Sequence, residues 1–228
     1  MGSESCSVVF DLDGTLVDSV YQHVLSWQEA LEKQGIKLSV WRIHRKIGMS
    51  GGLFAQALLR ETGTAFDSAA AARLQQSHLE AYRRRLQQVR PLPGAKQLLA
   101  YLTKAGLSWA IATSGPRESA GPTLEVLGVS SGVVVVTRDE VTHAKPNPDL
   151  FLEAMRRLGA TATNTVVVGD SIWDLLASRR AGAIGVGLLS GGYGREELEK
   201  AGAYRVYDDP ADLLLHLDEL GIRISSPS

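Results

Sequence analysis

Two aspartates separated by one residue, Asp11 and Asp13, open the run Asp11-Leu-Asp-Gly-Thr-Leu-Val-Asp-Ser19. The run follows Val8-Val9-Phe10, an apolar stretch that reads as a short buried strand. Gly14-Thr15 turns the chain, so both acids stand at the carboxyl edge of a sheet, where open α/β sheets place their ligands. Two carboxylates in one spot repel each other, so the site needs a cation or a raised pKa. Mg²⁺, a hard ion that takes oxygen ligands, meets that need. Taken alone, the run also reads as a strand and turn whose acids cap the segment that follows.

Three further groups of chemistry-bearing residues follow apolar runs. Thr113-Ser-Gly115 ends one of them. A hydroxyl and the next backbone N–H groups at a strand's end can donate to a phosphate oxygen, and the same three residues also make an ordinary turn. Lys145 precedes Pro146-Asn-Pro-Asp149, a helix start, where a lysine is commonly a solvated charge. Gly169-Asp170-Ser-Ile-Trp-Asp174 follows Thr165–Gly169. Asp174, four residues after Asp170, falls on the same side of a first helical turn, a place where acids also complement the helix dipole.

Together the DxDGT and VDS run, Thr113-Ser114, the KPxPxxF pattern from Lys145 to Phe151, and GDxxxD from Gly169 to Asp174 resemble the haloacid dehalogenase superfamily. Most members of that superfamily are phosphatases. The resemblance covers nearly the whole chain and implies the roles. Asp11 is the nucleophile and Asp13 the general acid/base. Thr113 binds phosphate through its hydroxyl and Ser114 through its backbone, with Leu12, Asp13 and Lys145 also against the phosphate. Mg²⁺ is held by Asp11, the backbone carbonyl of Asp13, and Asp170. Asp174 holds a metal-bound water or orients Lys145, whose ammonium balances the crowd of negative charge.

These residues require a scaffold of strands and helices in alternation. Apolar runs predict strands at Ser7–Asp11, Leu107–Thr113, Val133–Val136, Thr165–Gly169 and Ala183–Leu188, with a weaker one at Tyr204–Tyr207. Helical patterns closed by glycine lie at Gly94–Lys104, Asp149–Leu158, Trp173–Ala181, Arg195–Ala201 and Pro210–Leu220. Such alternation predicts an α/β fold, a Rossmann-like parallel sheet with helices on both faces. From Leu16 to about Gln88 the pattern is helical and shows no strand. Val20, Val24, Trp27 and Leu31 recur at helical spacing. Val40–Ile47, Leu53–Glu61 and Ser68–Gln88 follow, with Gly48-Met-Ser-Gly-Gly52 as a break. This predicts an α/β core of residues 1–16 and 89–228 carrying an inserted α-helical cap domain at 17–88, as the resemblance implies. His23, Gly48, Met49 and Ser50 are candidates for the cleft between the two. His23 reads equally well as a packed histidine, and Tyr82-Arg-Arg-Arg85 reads as a solvated face.

The resemblance points to a Mg²⁺-dependent phosphatase of a small monoester, of phosphoglycolate or sugar-phosphate type, acting through an aspartyl-phosphate. Hydrolytic dehalogenases of the family lack the second aspartate, and Asp13 argues against them. β-Phosphoglucomutase is the nearest alternative. It resembles this chain at Asp18-Ser-x-x-x-His23-x-x-x-Trp27 but carries a cap arginine soon after a Gly-x-Ser element, where Gly51 and Gly52 stand here. A phospho-accepting signalling or binding module is the alternative of another class, and it has no helical insert after its first strand. Net charge is −1, which leaves no electrostatic footprint for nucleic acid or acidic lipid. Cys6 is the only cysteine, so neither an internal disulfide nor a thiolate cluster can form. Met1–Ser7 lacks a basic start followed by an apolar block, and no apolar stretch approaches the roughly 20 residues of a spanning helix. The expectation is a cytoplasmic protein, a monomer or weak dimer, with a small-molecule phosphate ester as partner, no nucleic acid or membrane, and a frayed tail at Ser225–Ser228.

Overall fold

The computed structural model describes residues 6–49, 51–63 and 67–222. Ser50 and the tail at Ser225–Ser228 lie outside the described residues. The chain begins with β1 (Ser7–Phe10) and, after the turn at Gly14, β2 (Val17–Asp18). Four helices follow, α1 (Val20–Lys33), α2 (Val40–His44), α3 (Gly51–Glu61) and α4 (Ser68–Arg85). β3 (Arg90–Pro91), α5 (Ala95–Lys104), β4 (Trp109–Ala112), α6 (Arg117–Leu127) and β5 (Val134–Val136) come next. The remainder is α7 (Asp149–Leu158), β6 (Thr165–Gly169), α8 (Ile172–Ala181), β7 (Ile184–Leu188), α9 (Arg195–Ala201), β8 (Ala203–Tyr207) and α10 (Pro210–Leu215).

Six strands form one parallel sheet in the order β5-β4-β1-β6-β7-β8. β1 lies in the middle, with Phe10 opposite Ile111 of β4 on one side and Val168 of β6 on the other. The strand order reverses beside β1, and the crevice at that point receives the carboxyl ends of β1, β4 and β6. Both faces of the sheet are buried, as crossover helices require. Val8, Phe10, Ile111, Val166 and Val168 pack in one cluster with Leu98 and Leu102 of α5 and Leu127 of α6. Val9, Ala110, Ala112 and Val167 face the opposite cluster, with Phe151 and Met155 of α7 and Ala177 of α8.

The four helices between β2 and β3 have a core of their own. Val20, Val24, Trp27 and Leu31, the stripe expected on α1, pack with Ile43, Phe54, Leu58 and Leu74. This segment joins the sheet layer through an antiparallel ribbon in which Val17 faces Pro91 and Asp18 faces Arg90. β2 is a correction to the reading of Leu16–Gln88 as free of strands; two residues are too few to make an alternating pattern. The glycine break is also shorter than expected, because Gly51 and Gly52 already belong to α3.

The other correction is α6, which fills a stretch where the sequence shows no helical pattern. Gly121 and Pro122 sit in its middle. Proline lacks the N–H that would reach the Glu118 carbonyl, and glycine adds backbone freedom, so local propensity opposes this helix. Burial of Ala120, Thr123 and Leu127 holds it, with the Thr123 hydroxyl donating to the Ser119 carbonyl at 3.2 Å. No helix among the described residues is long and apolar enough to cross a membrane.

Candidate active site

β1 ends directly at Asp11, whose side chain is buried at the mouth of the crevice. Lys145 reaches it from the loop between β5 and α7, and its ammonium donates to Asp11 Oδ1. The same ammonium lies 2.7 Å from Asp174 Oδ1 and 4.9 Å from the Phe151 ring centre. Lys145 is 0% exposed. Burial works against its charge, but Asp11 and Asp174 outweigh that and hold the ammonium above its ordinary value. Asp174 is itself fixed by the capping box that opens α8. Its Oδ2 accepts from the Ser171 hydroxyl at 2.5 Å and from the Ser171 N–H at 3.1 Å.

Asp170 stands at the end of β6 and is equally buried. The Thr15 hydroxyl donates to its Oδ1 at 3.0 Å. No cation among the described residues lies within ion-pair distance of it. Burial, then the negative charge of Asp174 and Asp11, push its carboxyl well above the usual range. Burial likewise pushes Asp11 up to about 7, with Lys145 opposing and Asp174 and Asp13 adding. Oxygen atoms of Asp11, Asp170 and Asp174 lie within 4.8 Å of one another. One lysine cannot neutralise three buried carboxylates, and an all-oxygen set with this surplus fits a hard divalent cation such as Mg²⁺. Two glycines let the backbone pass close against Asp170. A Cβ at Gly14, where φ is +87°, or at Gly191 would run into Asp170 Oδ2.

Asp13 has different company. Its Oδ1 accepts from the Ser19 hydroxyl at 2.6 Å and lies 3.2 Å from His23 Nε2. Burial works to raise its carboxyl, but His23 and Ser19 together outweigh that and hold it below the ordinary value. The Asp13 side chain therefore stands apart from the three-acid cluster. An ionised carboxylate can only accept, so His23 Nε2 donates. His23 Nδ1 lies 3.1 Å from His78 Nε2 on α4. The Tyr82 ring stacks on His23 at 3.9 Å, and its hydroxyl is 3.0 Å from Thr123 Oγ1 on α6. Sequence reasoning missed His78 and Tyr82 as neighbours of the site.

Thr113 and Ser114 follow β4 on the other side of Asp11. The Thr113 Oγ1 accepts from the Gly115 N–H at 3.0 Å, which leaves its own proton to give. The Ser114 hydroxyl is buried with no hydrogen-bond partner among the described residues. Leu12 has its side chain in the hydrophobic core, so its main chain is all it can offer. A cavity of ≈ 120 Å³ opens over Asp11, Asp13, Thr113 and Ser114. His23, Gly48 and Met49 line it, as does Gln75, which nothing in the sequence singled out. Ser50 is outside the described residues. The Gly191-Gly-Tyr-Gly194 loop backs Asp170 and meets the helices, where His44 Nε2 lies 2.7 Å from the Gly191 carbonyl.

The model of haloacid dehalogenase-like hydrolases matches residues 7–182. The chain is 32% identical over 217 residues to N-acetylmuramic acid 6-phosphate phosphatase of Pseudomonas aeruginosa, covering 93% of this chain and 94% of that one. It is 32% identical over 214 residues to a phosphoglycolate phosphatase of Rhodospirillum rubrum, covering 91% and 88%. A hydrolase from Pseudomonas syringae of known structure superposes with a TM-score of 0.93 at 54% identity, over 95% of this chain and 99% of that one. The family match runs from β1 to the end of α8 and takes in every acid of the buried cluster. This chain belongs to the haloacid dehalogenase-like hydrolases.

Proposed function

We propose that the protein is a phosphatase that hydrolyses small phosphate monoesters through an aspartyl-phosphate on Asp11. The observation that carries this reading is the split between the two neighbouring acids. Asp11 sits with Lys145, Asp170 and Asp174, whereas Asp13 sits with Ser19 and His23. Both face one cavity that Thr113 and Ser114 also line. The names of the curated relatives, both phosphatases of small esters, support the same class.

In the first step an Asp11 carboxylate oxygen attacks phosphorus and the ester P–O bond breaks. Asp13, which takes up a proton as the negatively charged ester binds beside it, gives that proton to the departing alkoxide. It then takes one from the water that hydrolyses the acyl phosphate. In the substrate-free state Ser19 and His23 keep Asp13 ionised, the form required of the base. Lys145, the Thr113 hydroxyl and the Ser114 main-chain N–H bind the phosphoryl oxygens. Asp11, Asp170 and the Asp13 main-chain carbonyl would hold Mg²⁺, which when bound supplies positive charge to the crowded oxygens. The helices of 17–88 act as a cap that excludes bulk water, moving on the β2–β3 ribbon.

A screen of phosphate esters tests this. Released phosphate should require added Mg²⁺ and vanish with excess chelator; full activity in chelator would remove the ion from the account. Phosphorus NMR with β-glucose 1-phosphate should show inorganic phosphate as product. The mutase alternative predicts the 6-phosphate instead.

A further inference from the structure

The two walls of the cavity differ in chemistry. The sheet side offers Asp11, Asp13, Thr113 and Ser114. The helical side offers Trp27, Ile47, Met49, Phe54 and Leu79, with the amide of Gln75 among them. The Trp27 ring stacks on Phe54 at 4.3 Å and on His78 at 4.1 Å, and all three rings are buried, so this wall is fixed by packing. Gln75 is half-buried on α4, and its amide makes no hydrogen bond to another described residue. It is a neutral group that both donates and accepts, the complement of an alcohol hydroxyl.

The wall also lacks a counter-charge. No lysine or arginine among the described residues lines the cavity. Lys145 is enclosed by Asp11 and Asp174. Lys46, next to Ile47, is 2.5 Å from Glu61, and Arg83 is paired with Glu118. Burial, with His23 adding, pushes His78 well below the usual histidine range, so it brings no charge. His23 directs its Nε2 to Asp13. A carboxylate on the substrate's alcohol portion would leave water for a tryptophan and phenylalanine surface with no cation beside it, a costly transfer. A hydroxyl there meets Gln75, and a carbon face meets the rings.

Resting on the phosphatase reading, we propose that the site selects monoesters with an uncharged, hydroxyl-bearing alcohol portion, that it disfavours esters carrying a carboxylate, and that Gln75 is a specificity-determining residue. Two esters of matched size isolate the choice. 2-Hydroxyethyl phosphate and 2-phosphoglycolate differ only in CH₂OH against COO⁻. With Mg²⁺ present, kcat/KM for the hydroxyethyl ester should exceed that for phosphoglycolate by about tenfold or more, the scale set by an unpaired buried group. Gln75→Arg and Gln75→Lys place a cation on the same wall. Both residues are good helix formers at this half-buried position, and circular-dichroism melts report whether each variant folds. In either folded variant the ratio should move toward phosphoglycolate by about tenfold. Equal or better use of phosphoglycolate by the natural chain overturns the selectivity. An unmoved ratio in both folded variants overturns the role of Gln75. p-Nitrophenyl phosphate separates this failure from a deeper one: if it too releases no phosphate, the phosphatase reading falls and this inference with it.

Discussion

Asp11 and Asp13 are two positions apart in the chain and face opposite electrostatic problems. Burial pushes Asp11 up to about 7, against Lys145, so added positive charge shifts it further toward carboxylate at neutral pH. Asp13 is held low against burial by His23 and Ser19. The proposed roles follow, and they separate by substitution. Asp11→Asn should abolish turnover, since an amide is too poor a nucleophile to form the acyl phosphate. Asp13→Asn should still accept the phosphoryl group from an aryl phosphate, whose leaving group needs no proton, and then stall for want of a base. Loss of such acid–base help is typically about 10²–10⁴-fold. Intact-mass measurement after mixing with aryl phosphate should show a phosphoryl adduct, labile to hydroxylamine, on Asp13→Asn and none on Asp11→Asn. The acids and Thr113 were legible because they stand at or just beyond strand ends, and Lys145 because it opens the KPxPxxF pattern before a helix start. Gln75 and His78 were not, because both lie within the helical run Ser68–Gln88, where no spacing marks one side chain for chemistry, and Tyr82, read as part of a solvated face, is in fact buried. Ser19 and Thr15 were in view inside the opening run, yet nothing in their spacing says which acid each hydroxyl meets.

The capping box of α8 shows one element serving the site directly. Ser171 and Asp174 cap the start of the helix, and the same carboxylate grips Lys145 through its other oxygen. Strands β1, β4, β5, β6 and β7 were legible to within two residues, because parallel strands buried within a covered sheet leave unbroken apolar runs; β8, at the sheet edge with Tyr204 and Arg205 exposed, read only as a weak run. α6 was hidden by Gly121-Pro122, since its stability comes from burial rather than propensity. That origin is testable. Gly121 has no positive φ, and a Cβ there would meet nothing within 4 Å apart from its chain neighbours, one of which is Pro122. The proline ring crowds a Cβ on a helical residue before it, so Gly121→Ala alone should gain little, whereas Gly121→Ala with Pro122→Ala should raise unfolding stability by about 1 kcal/mol or more, read as a higher urea midpoint at unchanged slope.

At the scale of the molecule, the buried acids set a charge that the fold alone does not balance. Asp170 has a folded-state pKa raised well above its unfolded value. Its contribution to stability is therefore full below the unfolded pKa and lost as pH rises through the folded one. At neutral pH in chelator, Asp170→Asn should melt above the natural chain. Added Mg²⁺ should raise the melting temperature of the natural chain, by linkage to binding, and leave that of Asp170→Asn nearly unmoved. A differential scanning melt of the four samples decides it; equal shifts in both proteins would place the ion elsewhere. The β2–β3 ribbon has a consequence of another kind. Val17 with Pro91, and Asp18 with Arg90, bring the two ends of a 71-residue excursion side by side, about 5 Å apart as antiparallel partners are. Any folded unit whose own ends meet at that spacing can be spliced in there without shifting the register of the sheet. Inheritance can then act on the two halves separately. One recombination event spanning the excursion would replace Trp27, Phe54 and Gln75 together and leave Asp11, Lys145 and Asp170 untouched, so that an incoming unit that keeps Ser19 and His23 against Asp13 changes what a lineage accepts without relearning the reaction.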